Sequence, residues 1–228
     1  MPVRKIERNK KEWSRFNFKA HINSMAKHLK GYQYINEWKK YWNEKLTGED
    51  LSIKKKINEN AYFDHLADID KEDIRDPERG VEVFQSSYVS EFGEFHYHFN
   101  VEAINKLVNE REVPLEKVEI DHLYIDPDTE YHESKISDKR HPIFLRWFLV
   151  KEPIICVDGN KRILSNLRKG KKEFNGFLLS PLNISKDLFL FDVDYWFYVY
   201  TSEIEIISRG LNAGLPHNQI HQYTLNNR

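Results

Sequence analysis

Val157-Asp158-Gly159-Asn160-Lys161-Arg162-Ile163 follows an apolar run, Pro153-Ile154-Ile155-Cys156-Val157. It leads into Arg162-Ile163-Leu164-Ser165-Asn166-Leu167-Arg168, which Lys169-Gly170 closes. The pattern predicts a strand over Ile154 to Val157, a tight glycine turn, and a helix over Arg162 to Lys169. A helix N-terminus reached through a glycine turn presents backbone N–H groups and the positive end of the helix dipole, so it favours anions and above all phosphate. Lys161 and Arg162 add charge, and an arginine fork matches a phosphate bidentately. Asp158 stands where it could hold a metal, orient a ligand hydroxyl or take a proton. A plain strand-to-helix turn with solvated charges is the alternative reading of the same residues. If the turn binds phosphate, Arg162 is expected to be solvent-accessible, so that its loss weakens ligand binding and barely affects folding, whereas unchanged affinity would mark a structural turn.

The flanks supply further strands. Val118 to Asp126, with Pro127 after it, reads as a strand ending in a turn. His141-Pro142-Ile143-Phe144-Leu145-Arg146-Trp147 reads as a second strand, and Phe174-Asn175-Gly176-Phe177-Leu178-Leu179 follows the helix as another, so that residues 117–179 are expected to form one sheet. In this order the chain resembles the ParB/sulfiredoxin-like superfamily. There a Pro-Ile strand precedes an apolar strand that runs into a Gly-x-x-Arg phosphate turn. Asp158, Gly159 and Arg162 carry the resemblance, with Pro142 and Ile143 in support. It covers roughly residues 116–180. The Asp-Gly-x-x-Arg variant resembles turns of relatives in DNA modification, restriction and phage defence.

Several neighbouring readings fail on particular residues. Asp-Gly-Asn-Lys-Arg is also similar to the end of the motif in Fic-type transferases, which place a catalytic histidine four residues before the aspartate, then proline and an aromatic. Here those positions hold Ile154, Ile155 and Cys156. No basic helix-turn-helix pattern follows the turn, as it does in chromosome-partition members, so centromere binding is not expected. No cysteine stands beside Gly159, so the sulfiredoxin reaction is excluded on chemistry.

The 228 residues fit one large domain or two small ones, and five Trp, 12 Tyr and 14 Phe are ample for a core. The single cysteine, Cys156, excludes a disulfide framework and reads as a small buried residue compatible with a reducing cytosol. There is no signal-peptide pattern and no uncharged stretch long enough to span a membrane, which points to a cytoplasmic protein. The net charge of −1 conceals an asymmetry: residues 1–60 hold 15 Lys/Arg against 7 Asp/Glu, residues 61–138 hold 7 against 21, and residues 139–228 hold 13 against 8. Two basic segments flanking an acidic one favour anionic ligands at two places over a uniformly basic nucleic-acid wrapper.

The N-terminal third reads as two helices separated by Gly31. Trp13, Phe16 and Ala20 track the first loosely. Tyr34, Ile35, Trp38, Tyr41, Trp42 and Leu46 stripe the second, which Thr47-Gly48 is expected to end. Lysines interleave these aromatics and continue to Lys54-Lys55-Lys56. Such a pattern fits either a nucleic-acid surface or, more simply, an amphipathic hairpin with its rings in the core. Asp64 and Asp68 could share a helix face and a divalent metal, although a solvated acidic run explains them as well. Val81 to Phe84 and Glu94 to Phe99 predict a hairpin turning near Gly93. It carries His96 and His98 on one face, two-thirds of a metal site with no third ligand in view. Asn100 is expected to cap a helix over Val101 to Asn109. In the tail, Leu188 to Phe191 and Tyr195 to Tyr200 are undecided between strand and helix. Ser202 is expected to cap a helix over Glu203 to Leu211, and His217 and His221 to lie on a frayed end.

Together these readings predict an α+β protein: a helical N-terminal region (1–115, with a possible small hairpin) packed on a ParB/sulfiredoxin-like mixed sheet with an aromatic-rich C-terminal extension (116–228). The function they imply is binding of a phosphate-bearing ligand, a nucleotide or nucleic acid, by Gly159, Asn160, Lys161 and Arg162. The leading form is a nucleotide hydrolase or nuclease of prokaryotic or phage DNA metabolism or defence. Asp158 and Arg162 would be its catalytic pair, and Asp158 would hold Mg²⁺ brought in with the nucleotide. Alternatives from other classes are a non-catalytic nucleotide-sensing or DNA-binding regulator, and a phage-encoded factor that binds a protein partner. No membrane partner is expected.

Overall fold

The computed structural model describes residues 16–58, 82–127 and 129–224, with the side chains of 54–58 left out. The expectations for Trp13, Asp64, Asp68 and the side chains of Lys54, Lys55 and Lys56 lie outside the described residues. Within them the chain forms α1 (Phe18–His28), α2 (Ile35–Asn58), β1 (Val83–Ser90), β2 (Gly93–Asn100), α3 (Val101–Glu110), β3 (Leu115–Glu119), β4 (Leu123–Tyr124), β5 (Ile143–Arg146), β6 (Ile154–Asp158), α4 (Asn160–Leu167), β7 (Glu173–Leu179), α5 (Asp192–Asn212) and α6 (His217–Gln222). The protein is α+β, with helices first, a mixed sheet in the middle and an aromatic-rich C-terminal region. It divides into two compact units. One comprises described residues 82–86 and 97–190, the other 16–58, 87–96 and 191–224, and the β1–β2 hairpin contributes to both.

The first unit is built on a five-stranded sheet in the order β3-β7-β5-β6-β4. β3–β7 and β5–β6 are antiparallel, whereas β5–β7 and β4–β6 are parallel. Ile154 and Cys156 alternate onto one face of β6, where they join Val118, Leu123, Phe144, Phe174, Leu178 and, from α4, Ile163 in one buried cluster. Leu167, one turn beyond Ile163, packs partly against it. The strand expected from Val118 to Asp126 is broken into β3, a 3₁₀ turn at Ile120–His122, and the two-residue β4 on the opposite edge. Val118 and Leu123 enter the same cluster. Residues five apart on one continuous strand would face opposite sides, so the chain has to turn between them. Gly176 lies on β7 where a Cβ would come 2.3 Å from the Phe144 ring, so the absent side chain is what lets β5 and β7 pack. Asn100 caps α3 as expected, its side chain accepting the Ala103 N–H at 3.1 Å.

The second unit packs α1, α2, α5 and α6 with the tip of the hairpin. The α2 stripe is confirmed: Trp38, Trp42 and Leu46 are buried. Gly48 does not end α2, which runs on to Asn58. The stripe continues to buried Ile53, and that packing outweighs the roughly 1 kcal/mol that a mid-helix glycine costs. Nor does Ser202 cap a helix. α5 begins at Asp192, and the Thr201 and Ser202 hydroxyls bond back to Tyr198 O (2.9 Å) and Val199 O (2.8 Å). Val193, Phe197, Tyr200, Ile204 and Ile207 are buried at spacings of three and four, a period hidden by the near-continuous aromatic run. His217 and His221 are docked rather than frayed. Tyr32 Oη lies 2.8 Å from His221 Nδ1, the Gln33 N–H donates to His217 Nδ1 at 3.2 Å, and Tyr34 stacks on His221 at 4.1 Å.

His21 sits between two tyrosine hydroxyls, Tyr200 Oη at 2.9 Å from Nδ1 and Tyr88 Oη at 3.1 Å from Nε2. Burial pulls its imidazole down to about 4. The unfolded chain's imidazole takes its proton near pH 6.5, while the folded one resists until about pH 4. Stability is therefore expected to fall as the pH drops from about 6.5 to 4, by up to about 3 kcal/mol from this group, and to level off below. Urea midpoints against pH should show the fall in the parent and a flatter profile in His21→Gln. Equal slopes in the two proteins would contradict it.

Candidate functional site

β6 ends at Asp158, opposite Ile143 of β5, after a register irregularity between Ile143 and Phe144. Gly159 then takes the left-handed conformation, φ +105°, as the N-cap of α4. A Cβ there would lie 2.8 Å from Pro142 Cβ and 2.9 Å from Arg162 Nη2, so both the backbone conformation and the space call for glycine. The helix begins two residues earlier than the sequence suggested. The Ile163 N–H donates to Gly159 O at 3.0 Å, which leaves the N–H groups of Asn160, Lys161 and Arg162 ahead of the first intrahelical bond.

The five sequence-nominated residues do meet, but they divide into different roles. The Asn160 side chain is buried and works as a staple. It donates to Cys156 O at 2.9 Å and accepts the Asp126 N–H at 3.2 Å. Its own backbone N–H belongs to the open helix end. The Cys156 thiol donates to Asp158 O at 3.1 Å, and burial pushes its pKa well up, as suits an inert core thiol. Lys161 is partly exposed.

Arg162 departs from expectation. It is only 6% exposed, not the accessible side chain of a surface turn. Its Nη2 donates to Asp158 Oδ2 at 3.1 Å, its Nη1 lies 3.6 Å from Asp138 Oδ2, and its buried Nε has no protein partner. The i, i+4 spacing folds the guanidinium back over the turn onto Asp158, and the segment before β5 closes over it.

That segment supplies groups the sequence reading did not nominate. Arg140 grips Asp138 with both ends of its fork, Nε to Oδ1 at 3.1 Å and Nη2 to Oδ2 at 2.7 Å. Lys135 Nζ lies 4.0 Å from the same carboxylate. Hydrogen bonds from Arg140, reinforced by the charge of Arg162, hold the Asp138 carboxyl far below the usual carboxylate range. Glu82, Asn105, Lys135, Asp138 and Arg140 join residues 158–162 around a cavity of about 240 Å³. The charged run Asp138-Lys139-Arg140 before Pro142, one carboxylate followed by two cations, was the available signal. Their place beside the turn follows only from the antiparallel pairing that sets Ile143 against Asp158.

Other expected sites fare differently. Among the described residues no group of three His, Cys, Asp or Glu is placed to hold a metal ion, and His96 Nδ1 lies 2.9 Å from Ser87 Oγ. The rings Tyr32, Trp38 and Trp42 are buried and cannot stack on bases. Lys27, Lys30 and Lys39, with Asn23 and Asn36, do line an open groove of about 620 Å³. No described helix is long and apolar enough to cross a membrane. No family model, curated protein or solved structure matches the chain.

Proposed function

We propose that the chain binds a phosphate-bearing ligand, a nucleotide or nucleic acid, at the N-terminus of α4, as the ParB/sulfiredoxin resemblance implies. The observation that carries this reading is the cavity itself. The open N–H end of α4 and four cationic side chains, Lys135, Arg140, Lys161 and Arg162, border one recess. The Asn160, Lys161 and Arg162 N–H groups would take phosphate oxygens, and Gly159 would let the ligand approach the backbone. Lys161 would supply a mobile charge, and the orphaned Arg162 Nε a buried donor. Hydrolysis of a phosphoanhydride or phosphodiester is the enzymatic extension, with Asp158 and Arg162 at the reacting group. Asp158 already spends Oδ2 on Arg162, so Mg²⁺ would be held chiefly by the ligand's phosphates.

The test is calorimetry and thermal shift with nucleoside triphosphates, with and without Mg²⁺, on the parent and Lys161→Gln. A ligand at 100 times its Kd should stabilise the parent by about 2.7 kcal/mol. Lys161→Gln should weaken binding by about 1.5–3 kcal/mol, the range for hydrogen bonds to charged groups, with little change in the unliganded melting temperature. Equal affinity in the two proteins would remove this turn as the site.

A further inference from the structure

The cationic recess already holds an anion, and it belongs to the chain. The Asp138 carboxylate receives both arms of Arg140 (2.7 and 3.1 Å) and the Arg140 backbone N–H (3.1 Å), and it faces Arg162 Nη1 at 3.6 Å and Lys135 Nζ at 4.0 Å. A phosphate seated at the α4 terminus would seek the same guanidinium groups. We propose that the Asp138 carboxylate occupies the seat of the ligand's phosphate and must be displaced from it, so that the site selects a terminal phosphate over an internal phosphodiester. The inference rests on the phosphate-binding reading above and names its ligand class.

Charge and size carry the argument. The cavity is lined by four cations, Lys135, Arg140, Lys161 and Arg162, and three carboxylates, Glu82, Asp138 and Asp158, which leaves one net positive charge. A phosphodiester carries a single negative charge. Exchanging it for the Asp138 carboxylate replaces like with like and gains nothing electrostatically. A terminal phosphate carries about 1.5–2 negative charges at pH 7 and three acceptor oxygens, so it can outbid a carboxylate for two guanidinium groups. The fork of Arg140, freed by the exchange, suits it bidentately. At about 240 Å³ the recess is below the roughly 300–1,000 Å³ of pockets that enclose whole ligands. It fits the phosphate end of a larger molecule. The long Arg162 contact, 3.6 Å against 2.7 Å for Arg140, marks the side from which the carboxylate is most easily parted.

The same terminal group occurs on a nucleoside triphosphate and on a phosphorylated nucleic-acid end, and the experiment separates them. Full-length chain is titrated with ATP, with a 5′-phosphorylated oligonucleotide, and with the same oligonucleotide ending in a 5′-hydroxyl. Parent, Asp138→Asn and Lys161→Gln are compared. In the parent, ATP or the phosphorylated oligonucleotide should bind at least tenfold more tightly than the hydroxyl form, and whichever does so identifies the source. Asp138→Asn should tighten every probe and shrink that preference several-fold, because no charge remains to be displaced. Weaker binding of the phosphorylated probes by Asp138→Asn would overturn the proposal and make Asp138 a residue that positions Arg140 and Arg162. So would a parent that binds both oligonucleotides equally, a result that needs no variant to fold. Failure of the underlying reading looks different: no probe binds parent or Asp138→Asn, or binding is indifferent to Lys161→Gln.

Discussion

Replacing Glu203 with alanine is expected to cost about 3–5 kcal/mol of stability, because each buried donor left without its acceptor loses about 1–3 kcal/mol and a cavity adds to this. Glu203 is buried on α5, and its Oε2 accepts two indole N–H groups, from Trp38 at 3.0 Å and Trp42 at 2.8 Å. Tyr200 packs against both rings, stacked on Trp38 and edge-on to Trp42. Glu203→Gln keeps an oxygen in place and should cost markedly less. Urea unfolding followed by tryptophan fluorescence reads both. A loss below about 1 kcal/mol for the alanine variant would show that the indoles find other acceptors.

Arg162→Ala is expected to lower stability by about 2–4 kcal/mol, near the low end for removing one partner of a buried ion pair because both carboxylates keep some solvent contact. It strands Asp158 and deprives Asp138 of a cation it faces. Arg162→Lys should recover only part of the loss, since an ammonium cannot reach both carboxylates as the planar fork does. The midpoint of urea unfolding should fall with the slope unchanged. A loss under about 0.5 kcal/mol would instead place Arg162 on a solvated turn, as the sequence had suggested. This coupling of fold and site is why ligand binding is better dissected through Lys161, which is partly exposed, than through Arg162.

The elements that were legible carry their signal in adjacent residues. Gly159 marks its own turn because only a glycine accepts that backbone angle beside Pro142. The α2 stripe and the Asn100 cap are likewise written within one or two helical turns. Where a local rule failed, a remote contact had overridden it. Gly48 stays helical because Ile53 is buried beyond it, and His221 is held by Tyr32 and Tyr34. The aromatic run of α5 satisfied both helical and extended periods, so burial had to choose between them.

For the site, the sequence by itself determined the turn: strand, left-handed glycine, helix N-terminus and the residues 158–162. These depend on backbone angles and spacings that neighbours along the chain impose. Only the tertiary structure decided what surrounds that turn. Residues 135–140 reach it because β5 pairs antiparallel with β6 and brings Pro142 and Ile143 against Gly159 and Asp158. Whether Arg162 is a free phosphate clamp or is already engaged by Asp158 and Asp138 depends on that encounter. Charges some 20 residues apart interact through space, and no periodicity along the chain records the distance between them.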